Sequence, residues 1–253
     1  MKHLLVVGGT GLIGTQIVRS AALRGWSVTS LSRKGQPIPT YLTPDYDQWS
    51  RNVTWASGSA LDPDTAHAYA STADAIVHSV GLLFTTPELN ALVNAPTIRE
   101  ALSNVGPALF RRPAAKKLDF ASVQFDMIKV LAQAAKPGAT FAYVSAEVSP
   151  LMKLAVNPEY LRTKALAEDY LIKRDVEQNA GRGVVVRPGI VSSIKRPLTW
   201  PLAVGGRVMA VAGLVPKVLT PEQIGAAVVR AVEDDGCRGV LGPDRLAQLA
   251  GRK

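Results

Sequence analysis

The chain contains few of the residues that cross-link secreted proteins or build metal centres. Only one of its 253 residues is a cysteine, Cys237, which excludes an internal disulfide and a cysteine-based metal site. The three histidines show no metal-ligand spacing, and aromatic residues make up only 6% of the chain. We therefore predict no metal, and we interpret Cys237 as an ordinary residue of a protein that fits a reducing compartment.

Long apolar runs are also missing. The longest mostly apolar stretch, residues 198–218, is interrupted by prolines, glycines and an arginine, so it does not form the run of roughly 20 residues typical of a transmembrane helix. With 47% hydrophobic residues, the chain can nevertheless bury a substantial core, as one large domain or as one domain with a small lobe.

Acidic residues are absent before Asp45, and the whole chain carries a formal net charge of +9. This excess fits an anionic cofactor, an anionic membrane surface or an organelle with basic proteins, and no helix or aromatic platform for nucleic acid is recognisable. The acid-poor N-terminus has two interpretations. In the first, the protein is imported into mitochondria, and the import information is either embedded in the fold or lay in a segment that was removed. In the second, a phosphate-binding unit simply avoids negative charge.

The N-terminus does contain a glycine-rich turn between an apolar strand and an apolar helix. Residues 3–14 read HLLVVGGTGLIG, with three glycines spaced three apart. The first glycine, Gly8, suits a tight turn. The second, Gly11, allows a pyrophosphate to approach the backbone, and the third, Gly14, allows the helix to pack close to the strand. The uncapped helix N-terminus would bind the phosphates. We predict a dinucleotide site rather than a purely structural turn, with contacts from Gly8, Thr10, Gly11, Leu12, Ile13 and Gly14.

Strands and helices alternate along the chain, which predicts an α/β fold with a doubly wound parallel Rossmann sheet. Apolar runs predict strands at 27–31, 53–56, 75–80, 140–144 and 183–186, and helical patterns cover 13–23, 120–135, 159–173 and a segment opened by Thr220. We predict an NAD(P)-binding core over residues 1–189, in which about 85–118 form a partly ordered insertion or a binding loop. Residues 190–253 are predicted to form a small substrate lobe with closing helices.

The end of the second strand carries cations where NAD-binding proteins carry a carboxylate. It reads Ser32-Arg33-Lys34, and a hydroxyl with two cations would bind the 2′-phosphate of NADP, which a carboxylate would repel. We therefore predict NADP(H) rather than NAD(H), with Ser32, Arg33 and Lys34 as contacts. The alternative is that the two basic residues form a solvated loop pair.

A tyrosine and a lysine four residues apart follow the fifth predicted strand. Tyr160 and Lys164 would share one helix face, and a nearby ammonium would lower the pKa of the phenol and make it a usable acid or base. Ser145, at the end of the strand, could steady a substrate oxygen. We expect His78, inside the fourth predicted strand, to be a buried histidine with satisfied ring nitrogens.

These motifs, together with the fourth-strand end and an Arg-Pro-Gly after the sixth strand, resemble the extended or atypical short-chain dehydrogenase/reductase superfamily. The resemblance implies a Rossmann domain, a nicotinamide cofactor, Tyr160 as the catalytic acid/base and Lys164 as its partner. The family serine can lie further along than Ser145, where this chain has Ala146 and Glu147. Further cofactor contacts are implied from Ser59, Ala60 and Leu61, where the family aspartate is displaced, and from Ser79, Val80, Gly81, Lys164, Pro188 and Gly189.

The segments SLSRKGQPI, AIVHSVGLLF and EYLRTKALAE resemble more narrowly the branch that holds the fungal subunit of the mitochondrial coenzyme Q biosynthesis complex, and more loosely the complex I accessory subunit. This resemblance implies a place on the matrix side of the inner mitochondrial membrane, with other subunits as partners. It leaves two functions open: an NADP-dependent oxidoreductase acting on a quinone-like intermediate of ubiquinone biosynthesis, or a non-catalytic nucleotide-binding assembly subunit. Whether the protein is an enzyme is left undecided.

An apolar segment rimmed by basic residues lies near the C-terminus. Residues 198–215 are strongly apolar, and Lys195, Arg196, Arg207 and Lys217 flank or interrupt them. Such a segment suits an isoprenoid quinone-type substrate or peripheral contact with an anionic membrane. Ordinary core or an oligomer interface is the alternative interpretation.

Overall fold

The computed structural model describes residues 1–81, 119–148, 157–176, 181–189, 191 and 217–251. The predicted insertion at about 85–118 and the apolar segment at 198–215 lie outside the described residues. In the described part of the chain, no helix is long and apolar enough to cross a lipid bilayer.

Seven strands and seven helices account for the regular structure of the described residues. The strands are β1 (His3–Val7), β2 (Ser27–Ser32), β3 (Val53–Ser57), β4 (Ala75–His78), β5 (Thr140–Val144), β6 (Gly183–Val186) and β7 (Gly239–Leu241). The helices are α1 (Leu12–Leu23), α2 (Tyr46–Trp49), α3 (Pro63–Ala70), α4 (Met127–Ala134), α5 (Pro158–Val176), α6 (Pro221–Glu233) and α7 (Pro243–Gly251). The predicted α/β alternation is confirmed.

The strands form one parallel sheet in the order β3-β2-β1-β4-β5-β6-β7, which is the doubly wound Rossmann arrangement predicted from the sequence. The strand order reverses between β1 and β4, because β1 pairs with β2 on one side and with β4 on the other. In such sheets ligands bind outside the carboxyl ends of the strands at the point of reversal. The turn after β1 therefore lies at the expected ligand crevice.

Alternate residues of β1 supply the two faces of the core. Leu4 and Val6 pack in one apolar cluster with α1 and α6, and Leu5 and Val7 pack in the other with α3, α4 and α5. This period of two is the geometry of a strand buried on both faces. All four side chains are at most 3% exposed, so helices cover both faces of the sheet.

Two elements depart from their predictions and one start of a helix matches. β4 ends at His78 rather than at residue 80, and the next residue, Ser79, donates both its amide and its hydroxyl to the Val7 carbonyl at 2.9 Å. A π-helical turn, Ser122–Asp126, precedes α4 where a regular helix is expected, and it buries Gln124. The first turn of α6 matches its prediction, since Thr220 and Gln223 form a capping box.

The last described segment completes the sheet. β7 pairs with β6, and α6 lies so close to α1 that a Cβ on Gly225 would be 2.5 Å from the Gln16 carbonyl oxygen. Both contacts join residues 217–251 to the Rossmann core. The division into a core over 1–189 and a lobe over 190–253 stays a prediction.

One buried guanidinium ties this segment to the start of β6. Arg182 is 5% exposed and donates to the carbonyls of Ala231, Val232, Asp234 and Cys237, at or just beyond the end of α6. Carbonyls at a helix C-terminus need donors, and a cation there also opposes the negative end of the helix dipole. Arg182 therefore fastens α6 to the sheet.

We predict that Arg182→Gln lowers the free energy of unfolding by about 3 kcal/mol, because several buried carbonyls lose a charged donor. Urea unfolding of the purified protein measures this change. Arg245→Gln is the control, since the Arg245 guanidinium bonds only to Gln248, at 3.3 Å, among the contacts of the described residues. Equal unfolding free energies for the two variants would contradict the assigned role of Arg182.

Candidate functional site

The turn after β1 is held by backbone contacts that exclude side chains. Gly8 has a φ of +83°, and a Cβ on it would be 2.8 Å from the side chain of Val80. Its amide donates to the Leu31 carbonyl at 2.9 Å, and its carbonyl accepts from the Gly11 amide at 2.9 Å. The turn is thus bound to the ends of both neighbouring strands, β2 and β4.

Two further glycines allow α1 to approach the sheet. A Cβ on Gly14 would be 2.1 Å from the Gly8 carbonyl oxygen, and one on Gly9 would be 2.3 Å from the Ser30 hydroxyl. Real Cβ atoms do not approach that closely, so only glycine fits either position. Gly9 was not among the predicted site residues, although the paired glycines in the motif are a visible signal for it.

Gly11 differs from these because a Cβ on it would be near only one atom of the described residues. That atom is the Gly8 carbonyl oxygen, at 3.3 Å. Gly11 is also the N-cap of α1 and brings no side chain to cap the first turn, in which Leu12 and Ile13 follow. Backbone amides without a capping side chain suit a pyrophosphate, and the site stays a prediction.

The basic residues after β2 lie at the same edge of the sheet. Arg33 and Lys34 are exposed, and the turn that carries them is fixed by the Gly35 amide, which donates to the Ser32 hydroxyl at 3.1 Å. The hydroxyl of Ser57, at the end of β3, donates to the Arg33 carbonyl at 3.1 Å. Both basic side chains are therefore accessible to an anion beside the glycine turn.

The residues after β3, predicted to contact the adenine, lie beside the end of β2 at the same edge of the sheet. Ser59 and Leu61 are exposed and Ala60 is buried, and the Leu61 amide donates to the Ser59 hydroxyl at 3.3 Å. Asp62 is the N-cap of α3 and accepts from Thr65, whose hydrogen bonds lower the pKa of that carboxyl. The displaced aspartate thus serves the helix, in agreement with its departure from the family pattern.

The remaining predicted cofactor contacts lie beyond the ends of β4 and β6. Ser79 and Val80 are half-buried beside the glycine turn, and Gly81 is exposed. Pro188 is buried and its carbonyl accepts from the Glu147 amide at 2.8 Å, while Gly189 is half-buried. Two separate loops, one after β4 and one after β6, therefore begin at this edge of the sheet.

Tyr160 and Lys164 lie on one face of α5, as predicted, and both are buried. The Lys164 ammonium lies 5.3 Å from the Tyr160 ring centre and 4.9 Å from that of Tyr143. Its hydrogen bonds go to the Tyr143 hydroxyl, at 3.2 Å, and to the Val144 carbonyl, at 3.4 Å. Tyr143, which the sequence analysis did not single out, is therefore a direct contact of the lysine.

The expected lowering of the Tyr160 pKa is not what the structure gives. Burial raises the pKa of Tyr160 to about 12, and it lowers the pKa of Lys164 to about 7, with the charge of Glu168 opposing the second change. Desolvation disfavours the charged form of each group. The phenol stays protonated at neutral pH, which suits a proton donor rather than a base.

Ser145 is tied to a carboxylate that sequence reasoning did not find. Its hydroxyl donates to Glu168 of α5, and the same carboxylate accepts from Arg187, whose Nε lies 3.1 Å from both oxygens. Ser145 and Glu168 are each 5% exposed. The sequence does contain a signal for this carboxylate, because Glu168 follows Lys164 by four residues and so lies one helical turn further along the same face.

His78 is buried as expected, but its ring is not satisfied by other described residues. Both ring nitrogens lack a hydrogen-bond partner in the described part of the chain, and the ring lies 5.6 Å from that of Tyr143. Complete burial, followed by the charge of Lys164, lowers the pKa of His78 to about 3. The imidazole is thus neutral across the physiological range.

Comparison with known proteins agrees with this geometry. Residues 4–99 match the NAD dependent epimerase/dehydratase family. MIOREX complex component 2 of Saccharomyces cerevisiae is 22% identical over 276 residues, which cover 95% of this chain and 97% of the relative.

Solved structures show the same fold at low identity. A short-chain dehydrogenase/reductase family oxidoreductase from Burkholderia thailandensis has a TM-score of 0.63 at 16% identity, covering 96% of this chain and 90% of that one. BdcA in complex with NADPH has a TM-score of 0.57 at 16% identity, covering 97% and 88%. At these identities the likeness concerns the fold alone.

We predict that His78 makes the fold sensitive to acid. In the unfolded chain its imidazole takes up a proton near pH 6.5, whereas the folded chain resists protonation down to about pH 3. Stability is therefore lost as the pH falls below 6.5, by about 2 kcal/mol between pH 7 and pH 5. Urea unfolding at the two pH values, compared with His78→Leu, measures this contribution.

The exposed histidine of α3 supplies the control for that experiment. His67→Leu should keep the full loss of stability between pH 7 and pH 5, since His67 is open to solvent. A His78→Leu protein that loses as much stability as the parent would show that His78 is not the responsible group.

Proposed function

We propose that the protein is an NADP(H)-binding short-chain dehydrogenase/reductase-like protein that reduces a quinone-like intermediate of mitochondrial ubiquinone biosynthesis. The observation that carries the nucleotide part is the N-terminus of α1 at Gly11, which has no capping side chain, with the exposed cations Arg33 and Lys34 at the next strand end. A 2′-phosphate needs cations and a pyrophosphate needs backbone donors, and both lie at one edge of the sheet.

In this proposal each predicted residue has one task. The amides of Leu12 and Ile13 bind the pyrophosphate, and Arg33 with Lys34 binds the 2′-phosphate. Ser59, Ala60 and Leu61 line the adenine end, and Ser79, Val80, Gly81, Pro188 and Gly189 line the nicotinamide end. Thr10 and Ser32 complete the phosphate contacts.

Tyr160 is the proposed proton donor to a carbonyl oxygen of the substrate. When bound, NADPH supplies the two electrons of such a reduction. The Tyr160 phenol, whose pKa burial raises to about 12, is protonated at neutral pH, so its proton is available for a reduction. Lys164 supports the phenol, and Ser145 lies at the neighbouring strand end.

A second candidate, a non-catalytic nucleotide-binding subunit of a membrane-associated mitochondrial complex, is favoured by two observations. The hydrogen bonds of Lys164 go to Tyr143 and Val144, not to Tyr160, and Tyr160 is only 7% exposed. The yeast relative is named as a component of a complex. The basic, acid-poor N-terminus supports a mitochondrial location for either candidate.

For the nucleotide, we expect the purified chain to bind NADPH at least about tenfold more tightly than NADH by calorimetric titration. The double variant Arg33→Gln/Lys34→Gln should weaken NADPH binding by roughly 30-fold, about 2 kcal/mol, and leave NADH binding unchanged. Gly11→Asp should abolish the binding of both, because it places a negative charge at the predicted pyrophosphate site.

Arg51→Gln is the matched control, since this exposed arginine precedes β3 and so lies at the opposite edge of the sheet. It should bind both nucleotides as the parent does. Tighter binding of NADH than of NADPH would refute the assignment of Arg33 and Lys34.

Tyr160→Phe distinguishes the two candidates. In host cells that lack the parent chain, an enzyme with this change should lose the quinone product while NADPH affinity stays within about twofold, because only the proton donor is gone. Mass spectrometry of the quinones and native electrophoresis of the complex are the measurements. Tyr170→Phe, on the same helix, is the control.

Normal quinone levels and an intact complex with Tyr160→Phe would contradict the catalytic proposal and favour the assembly subunit. Gly11→Asp should impair both candidates, so it confirms that the cell assay depends on the nucleotide site.

A further inference from the structure

A buried carboxylate connects three parts of the candidate site. Glu168 lies on α5, one helical turn after Lys164 and two turns after Tyr160, and it is 5% exposed. Its oxygens accept from Ser145, which follows β5, and from Arg187, which follows β6. One side chain thus joins the helix that carries Tyr160 to two strand ends.

The surroundings of Lys164 explain why a carboxylate is needed here. From the described residues, the titratable and charged groups around the ammonium are His78 of β4, Tyr143 of β5, and Tyr160 and Glu168 of α5. On the π-helical turn against α5, the polar contact is Gln124, which accepts from Thr163 at 3.4 Å. Glu168 is the anion of this set, and Arg187 adds a second cation next to it.

We infer that Glu168 is a positioning residue for the proposed reduction: its carboxylate fixes Ser145 and Arg187 at the ends of β5 and β6 and holds the neighbouring Lys164 as an ammonium beside Tyr160. This inference rests on the proposed function, because the positioning task is part of the proposed reduction. The network itself is a property of the chain without nucleotide.

The electrostatics support the same role. Burial brings the pKa of Lys164 down to about 7, and the charge of Glu168 acts against that decrease. The bond to Glu168 also raises the pKa of Arg187. Without the carboxylate, the buried Lys164 ammonium would lose the anion that offsets its burial, and the lysine would lose its proton more readily.

The test is the titration of Lys164 in the nucleotide-free protein. The ¹³Cε resonance of lysine moves when the amine loses its proton, and the Lys164 resonance is assigned by its absence in Lys164→Met. Glu168→Gln should lower the inflection pH of this resonance by about one unit. Arg187→Gln should raise it, because the carboxylate then has no competing cation.

Two further variants separate charge from structure. Asp169→Asn is the matched control: Asp169 is the next residue of α5, is exposed, and pairs with Lys173 at 2.9 Å, so its loss should leave the Lys164 inflection unchanged. Glu168→Asp keeps the charge and should retain most of the parent inflection. If Glu168→Gln does not fold, the opposite shift expected for Arg187→Gln still tests the inference.

A Lys164 inflection that is the same in the parent, Glu168→Gln and Arg187→Gln would overturn the inference. The titration needs no nucleotide, so a protein that fails to bind NADPH yet shows the expected shifts would refute only the proposed function. A protein that binds NADPH but shows no shift would refute only the role of Glu168.

Discussion

The carbonyl oxygen of Gly8 lies where a side chain on Gly14 would have to be, since a Cβ there would be only 2.1 Å away. This contact between the end of β1 and the first turn of α1 sets how close the helix comes to the sheet. The close approach allows Leu4 and Val6 to pack against α1 and α6. The first turn of α1 has no capping side chain, so that one steric constraint serves both the core and the proposed anion site.

A second part of the site depends on charge in a buried setting. Lys164, Glu168 and Arg187 lie next to the ends of β5 and β6. Tyr143 and His78 are neighbours of the lysine. Burial dominates the protonation of each of these phenol, amine and imidazole groups, and the single carboxylate offsets part of its effect on the lysine. In the proposed function the glycine turn binds anions through its backbone, whereas the region around Lys164 sets protonation by the balance of burial and charge.

The sequence predicted the parts of the fold that follow from local pattern. Strand runs such as Thr140–Val144 and Gly183–Val186, the glycine turn and the cap at Thr220 depend on neighbours in the chain, and they match the structure. The π-helical turn at Ser122–Asp126 and the role of Arg182 depend on contacts across the sheet, which spacing does not reveal. The same reason explains why Glu168 and Tyr143 were missed and why the pKa of Tyr160 was predicted in the wrong direction.

The central claim is that the glycine turn and the end of β2 together form one binding site for NADP(H). A crystal structure of the full chain grown with NADPH tests it most directly. The account predicts the pyrophosphate on the amides of Leu12 and Ile13 and the 2′-phosphate between Arg33 and Lys34. Density for the nucleotide elsewhere, or a 2′-phosphate pointing away from both cations, would contradict it.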